Sequence, residues 1–199
     1  LSSHLLDDTY YQKRAEEGRE PIWWYTCCGP LHPYANRFLT MPLLNTRILS
    51  WQAFTYGIGG YLHWGYNFWH RTRQNESGWP GITSMADHLL VNPYFEAPFN
   101  WSTGDACIVY PHPRWWEEHG PVSSLRYEVH RAGLQDYELL RMLVDVSVNT
   151  TKADVRNQAK RLLATVRGPV AGSLTQFCRD NRRLLRLREK IGQCITAGC

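Results

Sequence analysis

No stretch of this 199-residue chain approaches the ~20 consecutive apolar residues of a membrane-spanning helix, so the sequence predicts a soluble protein. None of its six cysteines, at 27, 28, 107, 178, 194 and 199, stands in a CxxC or Cys/His spacing of the zinc type. His63 and His70 do not share one continuous helix, so no metal pair is expected, and no other cofactor signature occurs. Net charge is only +4, with 22 basic against 18 acidic residues, too small a bias to imply a nucleic-acid partner. There is no internal repeat. The first residue is Leu1 rather than Met, with no charged-then-apolar leader, which predicts a processed product or the later part of a longer chain.

Aromatic rings are plentiful: nine Trp and eleven Tyr. They crowd residues 22–69, which open with Ile22-Trp23-Trp24-Tyr25-Thr26-Cys27-Cys28-Gly29-Pro30 and close with Gly60-Tyr61-Leu62-His63-Trp64-Gly65-Tyr66-Asn67-Phe68-Trp69. Each block reads as a short apolar strand running into a Gly or polar exit. Two readings are open. The rings fill a core, or they form platforms for a sugar, whose C–H faces lie on aromatic rings and whose hydroxyls need fixed donors and acceptors.

Local signals give an ordered series of elements. Residues 5–18 read as a helix or its remnant, and 22–27 as a first strand. Leu44, Ile48, Trp51 and Thr55 recur at helical spacing up to Gly57. Gly59-Gly60 release a second strand over 60–66. Strand, loop, helix and strand in this order form a βαβ unit with parallel neighbours. Residues 70–104, rich in Asn, Pro, Gly and Ser, read as a long excursion. Residues 106–110 read as a third strand. A long helix follows Pro121 with Ser123 or Ser124 as its N-cap and Leu125, Val129, Ala132, Leu140 and Leu143 as its buried stripe. Thr151 with Asp154 reads as a capping box for the next helix, which carries Val155, Leu162 and Val166 and ends at Gly168-Pro169. A last helix starts near Asp180. The fold class is α/β: either a small α/β domain, or the C-terminal portion of a (β/α)8 TIM-type barrel with about three strands, whose full form needs about 250 residues. In the barrel reading 1–21 is a lead-in helix, 22–120 holds barrel strands and loops, and 121–199 holds the C-terminal helices.

For the cysteines, a helix rising ~1.5 Å per residue separates Cys178 from Cys194 beyond disulfide reach. Cys194 with Cys199 is the better pair, because Gly198 lets the tail turn. A vicinal Cys27-Cys28 bridge is disfavoured, since neighbours on a strand point to opposite faces. Three glycosylation sequons, at Asn75, Asn100 and Asn149, predict a secreted, extracellular glycoprotein.

The block Trp23-Trp24-Tyr25-Thr26-Cys27-Cys28-Gly29-Pro30 resembles a signature of the glycoside hydrolase family 123-like catalytic domain. Further blocks follow in the family's order. They are Pro42-Leu43-Leu44 with Arg47 and Trp51, Tyr56-Gly57 with Gly60, and Leu62-His63-Trp64 with Asn67 and Trp69. After these come Gly104-Asp105 with Val109-Tyr110-Pro111, and Ser124-Leu125-Arg126 with Glu128, Arg131, Gly133 and Asp136-Tyr137-Glu138. The resemblance implies a barrel glycosidase acting on β-linked N-acetylhexosamine, typically N-acetylgalactosamine. The sugar's own 2-acetamido group is then the nucleophile, with an Asp to orient it and a neighbouring Glu as general acid/base. That pair belongs on a strand upstream of the Trp-Trp-Tyr strand. Nothing here fills the role: Asp7-Asp8, Glu16-Glu17 and Glu117-Glu118 do not follow strand-like runs and read as solvated charge. Ala132 and Gln135 stand where the family more often has Glu.

The chain then reads as the later part of a barrel, with the earlier part of the same barrel as its expected partner and a glycan as its ligand. A non-catalytic carbohydrate-binding or structural protein is the alternative. Barrel sites gather at the C-terminal ends of strands, which nominates Trp24, Tyr25, Thr26 and Cys27, then Trp64, Tyr66, Asn67 and Trp69, and then Asp105, Tyr110 and His112. Arg126, Glu128, Arg131 and Asp136 read as an ion-pair lattice on a helix surface. The basic run from Arg179 to Lys190 reads as a solvated face.

Overall fold

The computed structural model describes residues 22–67, 103–110, 112 and 120–199, the backbone of two strands at 72–74 and 80–82, and positions 9, 10, 13, 16 and 17 near the N-terminus. Strand β1 (Ile22–Tyr25) leads through a proline-rich loop to helix α1 (Leu43–Thr55), and then to β2 (Ile58–Leu62). β1 and β2 pair in parallel, Trp24 opposite Tyr61 and Tyr25 opposite Leu62, as the crossover requires. Gly57 makes the turn between α1 and β2 at φ 65°, a left-handed conformation that suits glycine.

β2 ends four residues before the expected strand end. His63 Nδ1 lies 3.2 Å from the Gly65 amide, and that local contact bends the chain out of extended pairing. The third strand departs further. β5 (Val109–Tyr110) pairs antiparallel with β6 (Val122–Ser123), and Cys107 bridges Asn67 antiparallel. It does not extend the β1–β2 sheet. Strands β3 (Thr72–Gln74) and β4 (Pro80–Ile82) form a separate antiparallel pair. Among the described residues the fold is therefore mixed α/β, and β1–β2 is the parallel pairing it contains.

Helices α2 (Leu125–Asn149), α3 (Ala153–Thr165) and α4 (Asn181–Gly198) pack with α1 around one core. α1 is its centre. Leu44 through Phe54 are buried on nearly every side but for Arg47, so no amphipathic stripe survives, as befits a helix enclosed all round. Even its polar residues find partners: Gln52 Nε2 donates to Ser173 O at 2.8 Å. Ser124 is the N-cap of α2 and accepts from the Tyr127 amide. Asp180 caps α4, accepting from Arg182 and Arg183, as the sequence predicts.

Two expectations fail locally. Thr151 and Asp154 make no capping box: Lys152 is the N-cap of α3, without a side-chain bond, and the Thr150 hydroxyl takes the Lys152 amide. Cys194 and Cys199 are unpaired; the Cys194 thiol is buried against Val155 O, while Cys199 is exposed. The break expected at Gly168-Pro169 is there: helical backbone continues from α3 through Val166, and Gly168, at φ −105° and ψ −105°, is not helical.

The buried face of α2 is the largest correction. Leu125 is 72% exposed, whereas Arg126, His130, Gly133 and Asp136 point inward, ahead of Leu140 and Leu143. Of the expected surface lattice only Glu128 and Arg131 pair outside, at 2.6 Å. Asp136 is fully buried. It accepts from Arg47 Nε at 2.6 Å and Nη2 at 3.0 Å, from Trp51 Nε1 at 2.9 Å and from Arg188 Nε at 2.6 Å. Charge-assisted bonds of this kind tie α1, α2 and α4 together. Arg188 thereby leaves the basic run, the rest of which stays on the surface of α4.

Candidate functional site

Three segments converge beyond the C-terminal ends of β1 and β2: the β1 exit (25–28), the β2 exit (63–67) and the turn 103–107. Asn36 braces the first, donating from Nδ2 to the carbonyls of Cys27 and Pro30 at 3.1 Å each. The second is stitched to the third by the amides of Ile108 and Val109, which both donate to Tyr66 O.

Arg126 fixes the turn. Its guanidinium is buried and donates to Arg37 O at 2.8 Å, Gly104 O at 2.6 Å and Cys107 O, and Nη2 also reaches the Tyr110 hydroxyl at 3.2 Å. Gly104 has φ 78°, and a Cβ there would meet Arg126 Nη1 and Leu39 Cγ at 2.8 Å, so the turn needs glycine twice over.

The turn presents Asp105, itself 4% exposed. Its Oδ1 is 3.0 Å from His63 Nε2 and its Oδ2 accepts from Trp64 Nε1 at 2.8 Å. Burial holds His63 below the ordinary imidazole range, the hydrogen bond to Asp105 opposes that, and the charge of Arg37 adds to it. Nε2 faces Asp105 Oδ1 at 3.0 Å and Nδ1 faces Gly65 O at 2.6 Å, so a neutral ring, with one N–H, donates to one of these two acceptors and not to both. Asp105 and His63 thus fix the plane of the Trp64 indole, whose ring stacks on His63 at 6.2 Å and remains 36% exposed.

Arg37 sits inside this cluster, 1% exposed. It donates to the Tyr66 hydroxyl at 3.0 Å and lies over the rings of Tyr61 and Tyr66 at 5.0 and 5.1 Å. Its Nε and Nη2 have no hydrogen-bond partner. Tyr25 is pushed up by burial, by its bond to Cys27 and by the charge of Asp105. Burial and Cys27 raise the Cys28 thiol to about 11, and burial raises Cys107 to about 11. Both thiols stay protonated at neutral pH and do not serve as nucleophiles.

Of the residues nominated from sequence, Tyr25, Cys27, Trp64, Tyr66, Asn67 and Asp105 gather around these three segments. Tyr110 joins them through Arg126. Thr26 is fully buried and bonded to the Tyr61 hydroxyl, turned to the helix side. Trp24 stands apart. The strand alternation that carries Tyr25 to the site carries Trp24 into the core, where it is 1% exposed. Trp23, on the Tyr25 face, is 61% exposed and lies across Gly60, where a Cβ would fall 2.3 Å from its ring. Trp69 lies outside the described residues. His112 is described and half-buried. His63, Arg37 and Arg126 are additions to the nominated residues: His63 and Arg126 stand in the family-like blocks without a site role, and Arg37 lies in a loop without periodicity. Among the described residues no group of three or more His, Cys, Asp or Glu is arranged to hold a metal.

The aromatic rings and fixed polar groups thus collect outside the carboxyl ends of the parallel strands, the place where open α/β sheets commonly hold their ligands. The family is specific: the model for the glycoside hydrolase 123 catalytic domain matches residues 2–143, and the chain belongs to that family. Its fold is similar to that of a family 123 glycoside hydrolase from Clostridium perfringens, a structure described for the details of glycolipid glycan hydrolysis. The TM-score is 0.60 at 16% identity, over 98% of this chain and 32% of that one. The chain thus spans about a third of that neighbour's length. No curated protein matches the sequence significantly.

Proposed function

We propose that the protein carrying this chain is a glycoside hydrolase that cleaves β-linked N-acetylhexosamine, of the N-acetylgalactosamine type, with the sugar's 2-acetamido group as nucleophile. In this reading β1, α1 and β2 belong to a (β/α)8 barrel, and the Asp-Glu pair lies in an earlier segment of the same barrel. The reading extends to secretion and glycosylation, supported by Asn149, which is exposed at the end of α2.

One observation carries the sugar assignment: the half-exposed Trp64 indole held by the buried Asp105 beside Tyr25, Tyr66 and Asn67. A ring held this rigidly loses little freedom when a pyranose face settles on it, and Asn67 both donates and accepts. A second reading, glycan binding without turnover, is favoured by Asp105 itself. Both its oxygens are engaged, so it is not free to act as an acid or base.

The test is hydrolysis of an aryl N-acetylgalactosaminide by the intact protein and by its Trp64→Ala variant. Burial of one large apolar face contributes about 1.5–3 kcal/mol, so KM rises roughly 10- to 100-fold in the variant while folding is kept. Glycan binding without turnover moves the protein to the second reading. Neither binding nor turnover overturns both.

A further inference from the structure

A second concavity lies where helices α1 and α2 meet the β1–β2 sheet. It is about 200 Å³ in volume. Its walls are flat and apolar, formed by Trp24, Tyr61, Tyr137 and Ile58. Two polar side chains, Ser50 and His130, line it. His130 is 8% exposed, and its Nδ1 is buried with no partner. The Tyr137 hydroxyl, by contrast, is already donated to Ile58 O at 3.2 Å.

A buried imidazole nitrogen left unpaired is costly unless something meets it. The walls restrict what that is. Burial, with help from Arg37 and His63, holds His130 down to about 4, so the ring is neutral at physiological pH. The interior offers no counter-charge, and Glu138 at the rim is exposed. An ion would enter at high cost. A dry apolar cavity of about 150 Å³ accepts a benzene-sized molecule, so this one admits a single ring with a substituent.

We propose that this cavity binds a small, uncharged, flat molecule carrying one hydrogen-bonding group, of the class of phenol or benzyl alcohol, at a site separate from that of Asp105. The ring packs against Trp24 and Tyr61, and its hydroxyl is shared between His130 and Ser50. The site does not depend on the glycosidase reading.

The test is titration of the intact protein with phenol, using toluene as the control of equal shape, followed by calorimetry and by the imidazole resonances of His130. The expected result is saturable phenol binding in the millimolar range or tighter, at least about fivefold stronger than toluene. Leu134 lines the rim and is 51% exposed, so Leu134→Trp closes the mouth without touching the core and abolishes binding. His130→Phe keeps the ring shape and narrows the gap between phenol and toluene, leaving only what Ser50 contributes. Absence of saturable phenol binding below about 10 mM, or unchanged phenol affinity in Leu134→Trp, overturns the proposal. A side chain from elsewhere in the longer protein filling the cavity gives the first of these outcomes. Should His130→Phe fail to fold, the rim variant decides alone.

Discussion

Asp105 and Asp136 are both buried to within a few per cent, and they are held in contrasting ways. Asp136 receives two guanidinium groups and an indole from helices α1 and α4, so its charge is met by two fixed positive charges. Asp105 receives an indole and faces an imidazole, while the buried cation of its cluster, Arg37, bonds a tyrosine hydroxyl and leaves its Nε and Nη2 unused. A carboxylate saturated by cations locks helices together. One held by neutral donors, on a turn, holds a half-exposed ring in place instead. Incomplete compensation marks the candidate site, and complete compensation marks the frame.

The contrast can be tested by breaking each side. Asp136→Asn leaves Arg47 and Arg188 facing a neutral amide. Denaturant unfolding of the variant is expected to show a loss of about 3–5 kcal/mol. A loss under about 1 kcal/mol would mean that the hub is dispensable.

Acid gives the next effect. His130 has its pKa lowered from 6.5 to about 4 on folding, first by burial and then by Arg37. The unfolded chain therefore takes up a proton before the folded one does. Stability is full above pH 6.5 and falls as pH drops toward 4, by about 3 kcal/mol in all. Unfolding curves from pH 7 to 4 should show the slope, and His130→Gln should flatten it. Arg37→Met should shallow it as well, because it removes one of the charges that Asp105 leaves unneutralised.

Asp105→Asn comes third. The amide oxygen still accepts one of the two donors, so the stability loss is about 1–2 kcal/mol. Trp64 loses its anchor nevertheless, and glycan affinity should fall more than stability does. Equal losses in both would make Asp105 a frame residue like Asp136. The smallest effect belongs to Glu128→Gln. Its pair with Arg131 is short but exposed, and melting should register less than about 0.5 kcal/mol.

How much of this was legible in the sequence depended on whether burial and hydrophobicity agreed. They agree in β1, α1 and β2, where apolar runs, helical spacing and Gly57 mark a parallel unit, and at the caps Ser124 and Asp180. They part company in the first half of α2. There the inward positions are Arg126, His130, Gly133 and Asp136, and a reading that ranks residues by apolarity sends them outward. Long-range partners 19 to 89 residues away decide otherwise. For the candidate site, the strand exits name segments that the fold brings together, among them Tyr25, Trp64 and Asp105. Alternation along β1 separates Tyr25 from Trp24. His63 sat in a motif already in view, and its pairing with Asp105 across 42 positions is a fact of tertiary folding.

Arg126 carries a consequence for timing. One side chain gathers carbonyls from residue 37, 89 positions earlier, and from residues 104 and 107, about 20 positions earlier. Contacts of such sequence separation close after local ones, since the intervening chain must first be brought back on itself. During synthesis the segments that carry the candidate site's rings emerge well before the helix that secures them. That surface is therefore among the last parts of this region to mature, and a nascent chain halted before α2 has its tryptophans but no means of aiming them.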